Sequence, residues 1–391
     1  MTVMIEPTRT APAGLSPEDV ELLGKELDAI RQEVLDSRGA RDAAYIRRLV
    51  RAQRLIELGS RAVLMRSRKP SAWLLGTAGL TLAKILDNME IGHNVLHGQW
   101  DWMRDPKIHS STWEWDYVTP AAQWKRAHND THHRFTNILG KDNDLGYGIM
   151  RVDEAQEWKP RHLAQPAWNF VTACIFEYGI AMFDLDLGEH IRDKRSMTPE
   201  KKAEVKVALR KASRQLTKDF VIYPAMSGRN WRTTLAANAT ANLVRNLWSH
   251  SVIMCGHFPE GVATFEQDQL DEHETRGQWY VRQMLGSANI TGPRTLHLLT
   301  GNLSHQIEHH IFPDLPSNRY IEIAPRVREV FATFELPYNA RSMVKQVGSA
   351  WHKVLRLSLP NDWLAETNRR NLVPQLRALA SSTLRPAVAT A

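Results

Sequence analysis

Apolar residues recur every three or four positions near the start of the chain, and this spacing predicts an amphipathic helix. They are Val20, Leu23, Leu27, Ile30 and Val34. The preceding Ser16-Pro17-Glu18-Asp19 has the composition of a helix start, with a capping serine, proline at the first position and acids in the first turn. Gly39 is expected to end this helix, and residues 1–15 are expected to form a disordered leader.

A second amphipathic helix is predicted to begin near Arg41. Its apolar positions are Ile46, Leu49, Val50, Leu55, Ile56 and Leu58. Its basic positions are Arg41, Arg47, Arg48, Arg51, Arg54, Arg61, Arg66, Arg68 and Lys69. Such a helix either lies on the acidic cytoplasmic face of a membrane or packs as a solvated helix on the rest of the protein, and the pattern leaves both open. Residues 16–69 are thus expected to form basic, amphipathic N-terminal helices.

Three longer apolar regions follow, at residues 71–91, 167–185 and 219–257. The first carries charged residues, and the third is broken by Pro224 and Gly228. A membrane-spanning helix needs about 20 mostly apolar residues, so these regions are poor matches for single crossings. Together with the helical spacing elsewhere they predict an all-α, membrane-associated helical bundle with a cytoplasmic helical cap.

The basic stretch 186–218 constrains the topology. A single crossing by 167–185 would place it outside, against the preference for positive charge on the cytoplasmic side. We therefore expect 167–185 to be interfacial or re-entrant and 219–257 to supply an even number of crossings. Residues 314–364 are predicted to be cytoplasmic helices, and 366–391 a disordered tail.

The net charge of +7 is compatible with a membrane surface, nucleic acid or an acidic ligand. The chain has no zinc-finger spacing and no RNA-recognition signature, so nucleic acid is not an expected partner. Its two cysteines, Cys174 and Cys255, provide neither a disulfide framework nor a thiolate metal site.

Eight of the 16 histidines fall in three short stretches, which we call box 1, box 2 and box 3. They are His93-Asn94-Val95-Leu96-His97, His128-Asn129-Asp130-Thr131-His132-His133 and His305-Gln306-Ile307-Glu308-His309-His310. Each contains an i,i+4 histidine pair, which a helix would present on one face. Imidazole is a ligand for iron, zinc, copper and nickel. Three such clusters are not expected of ordinary surface or core histidines and indicate a polyhistidine metal site, with His93, His97, His128, His132, His133, His305, His309 and His310 as ligands.

Polar residues beside the boxes are candidates for hydrogen bonds to the ligand histidines. They are Asn88, Glu90, Asp142, Asp144 and Gln306. Five tryptophans between boxes 1 and 2 either line a channel for an apolar ligand or pack in the core or at an interface. They are Trp100, Trp102, Trp113, Trp115 and Trp124.

The three boxes, in this order, resemble those of the membrane fatty acid desaturases. The segments 88–93, 109–116 and Cys255-Gly256-His257-Phe258-Pro259 are more particularly similar to the actinobacterial acyl-CoA Δ9-desaturases, a group that includes mycobacterial stearoyl-CoA desaturases. The resemblance extends from about residue 17 to about residue 364 and places a catalytic domain at 70–340, with a C-terminal helix and tail at 341–391.

This resemblance implies a non-haem di-iron centre, with O2 as co-substrate. It implies a long-chain saturated acyl-CoA as substrate and a cis double bond, at Δ9, as product. Electrons would come from a separate NADPH-dependent flavin/iron-sulfur reductase, because the chain has no nucleotide-binding, haem or iron–sulfur signature. The enzyme would reside in the inner membrane with its active site facing the cytoplasm. No acid–base residue apart from the metal ligands is expected.

Two choices concern the ligand set. An additional ligand is expected on the segment before box 3, where His250 and His257 share a helix face. We favour His257, because Gly256 allows close backbone approach, Pro259 ends the helix and the resemblance includes a histidine here. In box 3, either His305 or Gln306 could reach the metal. We favour His305, because it would share the face of His309.

Other functions share parts of this pattern. A lipid hydroxylase or acetylenase would carry the same boxes. A non-catalytic metal transporter or store could also use histidine-rich membrane helices. A soluble carboxylate di-iron desaturase is set aside, because it needs two E-x-x-H motifs and the sequence has one convincing example, at 90–93.

Overall fold

The computed structural model describes residues 15–142, 144–185, 187, 196–267 and 273–361. In this part of the chain the prediction of an all-α helical fold is confirmed. Its α-helices of five or more residues are α1 Pro17–Asp36, α2 Ala40–Leu64, α3 Pro70–Ile85, α4 Ala121–Lys125, α5 Gln165–Cys174, α6 Phe176–Asp184, α7 Pro199–Thr217, α8 Trp231–His257, α9 Arg276–Leu285, α10 Arg294–Leu299, α11 Gln306–Ile311, α12 Tyr320–Thr333 and α13 Met343–Leu357. Two three-residue strands, β1 Asn289–Thr291 and β2 Ala340–Ser342, form a parallel pair.

The first helix follows its sequence signals closely. The Ser16 hydroxyl accepts a hydrogen bond from the backbone N–H of Asp19, and the Asp19 carboxylate accepts one from the backbone N–H of Ser16. All five predicted apolar positions are buried. Four of them pack in a core cluster with residues of α9, α11 and α12. This cluster fixes α1 against the segments that carry box 3.

The second helix buries only part of its predicted apolar face. Ile46, Leu49 and Val50 are buried, whereas Leu55 and Leu58 are each 69% exposed. The inner face packs against α3, which in turn packs against α8. The basic outer face of α2 therefore carries two exposed leucines among its arginines.

The apolar regions form shorter or less apolar helices than a membrane crossing requires. Residues 167–185 are divided between α5 and α6 by Ile175, whose φ of −117° and ψ of 30° are not helical. Gly228, with a φ of +55°, separates the short helix Tyr223–Met226 from α8. Across the described ranges, none of the helices combines the length and the apolar character needed to cross a membrane.

Charged residues in these regions pair with one another inside the protein. Lys84 of α3 lies 2.9 Å from Asp116 and 2.7 Å from Asp219, and Arg61 of α2 lies 3.0 Å from Asp219. All but Asp116 are buried. Buried charges of this kind are tolerated only when paired, so the network ties α2, α3 and the segment after α7 together.

Box 1 begins at the last residue of a π-helix, and box 2 lies mostly within another. Helix α3 runs directly into the π-helix Leu86–His93, and α4 runs directly into the π-helix Arg126–His132. Such i→i+5 turns are rare in proteins overall, and those that occur are often at functional sites. His93 and His97 keep the α-helical relationship that the sequence spacing predicts, since the backbone N–H of His97 donates to the carbonyl of His93, whereas His128 and His132 both lie in the π-helix.

Some predicted features lie outside the described residues. They are most of the leader 1–15, the tail 366–391 and the part of the basic stretch at 188–195. The remainder of that stretch contains α7, which begins as predicted at Thr198-Pro199-Glu200, with the Thr198 hydroxyl accepting from the backbone N–H of Lys201.

Candidate metal centre

One group of four histidines draws ligands from all three boxes. One ring nitrogen from each of His93, His97, His128 and His309 lies within 4.8 Å of the other three. The Nε2 atoms of His93 and His309 are 3.3 Å apart. Because box 3 supplies His309 on α11, this group joins segments more than 200 residues apart in the chain.

A second group lies beside it. One ring nitrogen from each of His132, His257 and His310 likewise lies within 4.8 Å of the other two. The Nε2 atoms of His257 and His310 are 3.1 Å apart. His257 is the last residue of α8, as its sequence context suggests. The structure thus brings His257 to the boxes.

His133 lies between the two groups. Its ring stacks on that of His310 with centroids 4.4 Å apart, and it lies 4.7 Å from the ring of His97 and 4.9 Å from that of His309. Both of its ring nitrogens are buried, and neither has a hydrogen-bond partner among the described residues. Eight histidines, counting His257 and not His305, therefore form one continuous cluster.

Two carboxylates accept hydrogen bonds from the Nδ1 atoms of two box 2 rings, those of His128 and His132. Asp144 lies 3.0 Å from Nδ1 of His128, and Asp142 lies 2.9 Å from Nδ1 of His132. Asp142 also accepts the backbone N–H groups of Asn137 and Asp144. An ionised carboxylate can only accept hydrogen bonds, so each ring carries a hydrogen on Nδ1 and turns Nε2 inward.

Three further acceptors do the same for His257, His310 and His309, and none of them was predicted from the sequence. The carbonyl of Gly286 lies 3.2 Å from Nδ1 of His257, and the amide oxygen of Gln283 lies 3.0 Å from Nδ1 of His310. The hydroxyl of Tyr320 lies 3.4 Å from Nδ1 of His309 and itself donates to the carbonyl of Phe312. Isolated single residues on other segments have no spacing that would mark them in the sequence.

Burial keeps most of these imidazoles neutral. It lowers the pKa of His128, His309 and His310 well below the ordinary value, with further lowering by neighbouring histidines. His132 differs. Burial alone would lower its pKa, but the carboxylates of Asp142 and Asp144 outweigh that effect and raise the pKa to about 9.

The donor set fits a metal centre. In the part of the chain that the structure describes, the Nε2 atoms of His97 and His128 and both nitrogens of His133 are buried without a hydrogen-bond partner. Buried polar atoms are normally paired, and so many converging unpaired imidazole nitrogens are expected where a cation binds. All-nitrogen coordination by histidines suits iron, as well as zinc, copper and nickel.

The expectation that His305 shares a face with His309 is wrong. The helix α11 begins only at Gln306, and His305 itself has a φ of −102° and a ψ of 55°. Its ring lies instead beside that of His297, with centroids 4.6 Å apart. The amide nitrogen of the next residue, Gln306, lies 2.9 Å from Nε2 of His257.

Asn88 and Glu90 form no described hydrogen bond with a box histidine. The Asn88 amide oxygen accepts from the Ser249 hydroxyl. The fully buried Glu90 carboxylate accepts from Tyr45, Asn302 and Ser317. Glu90 therefore ties the box 1 helix to α2 and to the segments on either side of box 3.

An apolar and aromatic cavity abuts the first histidine group. It is lined by Asn88, Met89, His93, Trp115, Tyr117, Trp124, His128, Asp144, Tyr147, Phe176, Ile180, Asp184, Ser249 and Ile253. Trp124 stacks on His128 with ring centroids 4.4 Å apart. Of the five tryptophans considered as channel residues, Trp115 and Trp124 line this cavity, whereas Trp100 packs against Tyr45.

Comparison with known proteins identifies the family. The family model for fatty acid desaturases matches residues 71–342, which is more than half of the chain. The chain belongs to the fatty acid desaturase family. This desaturase is 48% identical, over 358 residues, to the NADPH-dependent stearoyl-CoA 9-desaturase of Mycobacterium tuberculosis, in strains H37Rv and CDC 1551. The alignment covers 90% of this chain and 83% of that relative.

More distant relatives include an acyl-lipid (7-3)-desaturase of Rebecca salina, 28% identical over 52% of this chain and 46% of the relative. Another is an sn-1 linoleoyl-lipid 6-desaturase of Synechocystis, 23% identical over 68% of this chain and 75% of the relative. The desaturase is thus an oxidoreductase that acts on fatty acyl chains, and the histidine cluster lies within the part that matches the family.

Proposed function

We propose that this desaturase introduces a cis double bond at Δ9 of a long-chain saturated acyl-CoA, with O2 as co-substrate, for the synthesis of unsaturated fatty acids. The observation that carries the proposal is the position of the histidine cluster at the wall of an apolar cavity, where His93 and His128 belong to both. The 48% identity to a stearoyl-CoA 9-desaturase over most of both chains supports the substrate and the position.

The two histidine groups are proposed to hold two irons. The ligands would be His93, His97, His128 and His309 for one ion and His132, His257 and His310 for the other, with His133 between them. The irons would supply the O2-dependent oxidation that side chains alone cannot perform. The protein's own residues hold the Nε2 lone pairs in place and surround the acyl chain with aromatic walls that exclude water.

The electron donor is proposed to be a separate NADPH-dependent reductase with flavin and iron–sulfur groups. The name of the mycobacterial relative, which includes NADPH, supports the source of the electrons. Turnover by the purified chain with NADPH alone would contradict this proposal, whereas turnover that depends on an added reductase would support it.

The protein is proposed to work at the inner membrane, with the metal centre on the cytoplasmic side. A patch of exposed apolar side chains on α5 and α6 supports membrane association, because soluble surfaces rarely present such a patch. It consists of Trp168, Phe170, Val171, Ile175 and Met182, each between 45% and 57% exposed.

The function is tested by expressing the chain in a host that makes no unsaturated fatty acids. Mass spectrometry then locates any new double bond. A Δ9-unsaturated product from a saturated chain is the expected result. A hydroxylated or acetylenic product would assign the same metal centre to a different reaction, and no lipid product in the presence of reductase would argue for a metal carrier.

A further inference from the structure

A single buried glutamine connects boxes 2 and 3 on the outer side of the histidine cluster. Gln283 lies on α9 and is fully buried. Its Nε2 donates to the backbone carbonyl of His133 at 3.0 Å. Its Oε1 lies 3.0 Å from Nδ1 of His310. One amide thereby contacts the second histidine of each HH doublet.

The two contacts together determine where His310 carries its hydrogen. The carbonyl of His133 can only accept, so the amide NH2 of Gln283 must face it. The amide oxygen then faces His310, and His310 must donate through Nδ1. Its Nε2 is left as a lone pair directed at the second histidine group, which is the form a metal requires.

The platform that carries Gln283 is rigid. The helix α9 begins with a capping box in which Thr275 and Gln278 exchange hydrogen bonds. Tyr280 and Met284 anchor it in the same core cluster as α1 and α12. Just after the helix, the carbonyl of Gly286 holds His257. A single short segment therefore sets two of the three rings in the second group.

We propose that Gln283 is a positioning residue for the second metal ion, acting through His310 and His133. This inference rests on the proposed metal pair and adds a residue to it. Without the amide, a buried Nδ1–H of His310 loses its main acceptor, and the alternative tautomer would block Nε2 with a hydrogen. The Thr136 hydroxyl, 3.3 Å from the same Nδ1, would recover part of the interaction.

Among the described hydrogen bonds, Gln283 contacts no ring of the first histidine group. Asp144 and Tyr320 instead hold two of its rings, those of His128 and His309. The expected effect of removing the amide is therefore unequal, with one ion weakened and the other unchanged. Such an asymmetry distinguishes positioning from general destabilisation of the fold.

The test uses the Gln283→Leu variant, loaded with iron and then challenged with a chelator while the metal remaining per chain is measured. One ion is expected to leave about 10- to 100-fold faster than from the wild type, with the other unchanged. Gln283→Glu, which keeps the acceptor for His310, is expected to retain the ion better than the leucine variant.

The matched control is Gln165→Leu. Gln165 is also fully buried and hydrogen-bonds to Arg151 and Val354, away from the cluster. The Gln165→Leu substitution is expected to lower the melting temperature and to leave the release rates of both metal ions unchanged. The inference is overturned if Gln283→Leu releases both ions at the wild-type rate, or if both leucine variants accelerate release equally. A wild-type chain that binds no metal pair would overturn the proposed centre and this inference together.

Discussion

The Nε2 atoms of His257 and His310 face each other 3.1 Å apart, and both rings carry their hydrogen on the opposite nitrogen. The Gly286 carbonyl and the Gln283 amide oxygen are acceptors and fix those hydrogens on Nδ1. Two lone pairs therefore face each other in a buried site, and either a cation bound to both or the Gln306 amide nitrogen, 2.9 Å from Nε2 of His257, relieves their repulsion. The Nε2 atoms of His93 and His309 likewise lie 3.3 Å apart, and the Tyr320 hydroxyl lies 3.4 Å from Nδ1 of His309.

The first prediction separates His257 from His250. His257→Ala is expected to lose one ion per chain and essentially all desaturation, because the second group keeps only two imidazoles. His250→Ala is expected to retain most of its metal and its desaturation, since the His250 Nε2 bonds to Asn169 outside the cluster. Metal analysis and product formation measure both. Metal loss from His250→Ala with retention in His257→Ala would show that the wrong histidine was chosen.

The second prediction compares the neighbours His305 and Gln306. Gln306→Leu is expected to weaken metal retention in the second group by about 10-fold or more, because the amide lies against His257. His305→Leu is expected to keep both ions, since its ring lies beside His297. Chelator competition on the two variants measures the difference. Loss of an ion from the His305 variant alone would show that His305 is a metal ligand and that Gln306 is not needed.

The third prediction concerns Asp142. Asp142→Asn is expected to reduce metal affinity by about 10- to 100-fold, because one amide oxygen cannot replace both acceptors that orient His132 and the Asn137 backbone. Asp42→Asn is the control, because Asp42 is equally buried but pairs with Arg319. Titration with ferrous iron provides the affinities. Equal affinities for wild type and Asp142→Asn would show that Asp142 does not position the metal ligands.

The fourth prediction concerns membrane association. The wild-type protein is expected to remain in the membrane pellet after a carbonate wash. Replacing Trp168 and Phe170 with serine is expected to increase the released fraction, because both side chains are more than half exposed. Val344→Ser, at an 83% exposed site on α13, is the control. Complete release of the wild type would show that the exposed patch does not bind membrane.

Much of the site follows from the sequence, because histidine spacing is a strong local signal. Boxes 1 and 2 and the pair His309 and His310 converge in the structure, and His257 joins them from a helix end marked by Gly256 and Pro259. The aspartates after box 2 lie close in sequence to the rings they contact. The amphipathic spacing of α1 likewise determines which of its residues are buried.

The remaining features depend on where helices start and on distant contacts. The face shared by His305 and His309 assumed a helix that begins one residue earlier than it does. Leu55 and Leu58 have the spacing of a buried face, but within the described ranges no segment packs over them, and each is 69% exposed. Gln283 and Tyr320 are single residues brought to the cluster by the packing of α9 and α12, so nothing in the local pattern marks them.

The central claim is that the two histidine groups hold a pair of irons, and metal analysis of active protein purified from iron-replete cells tests it most directly. The account predicts about two irons per chain, as expected for all-imidazole sites of this kind, with activity proportional to iron content. Stoichiometric zinc in active protein, or full activity with no bound iron, would contradict it.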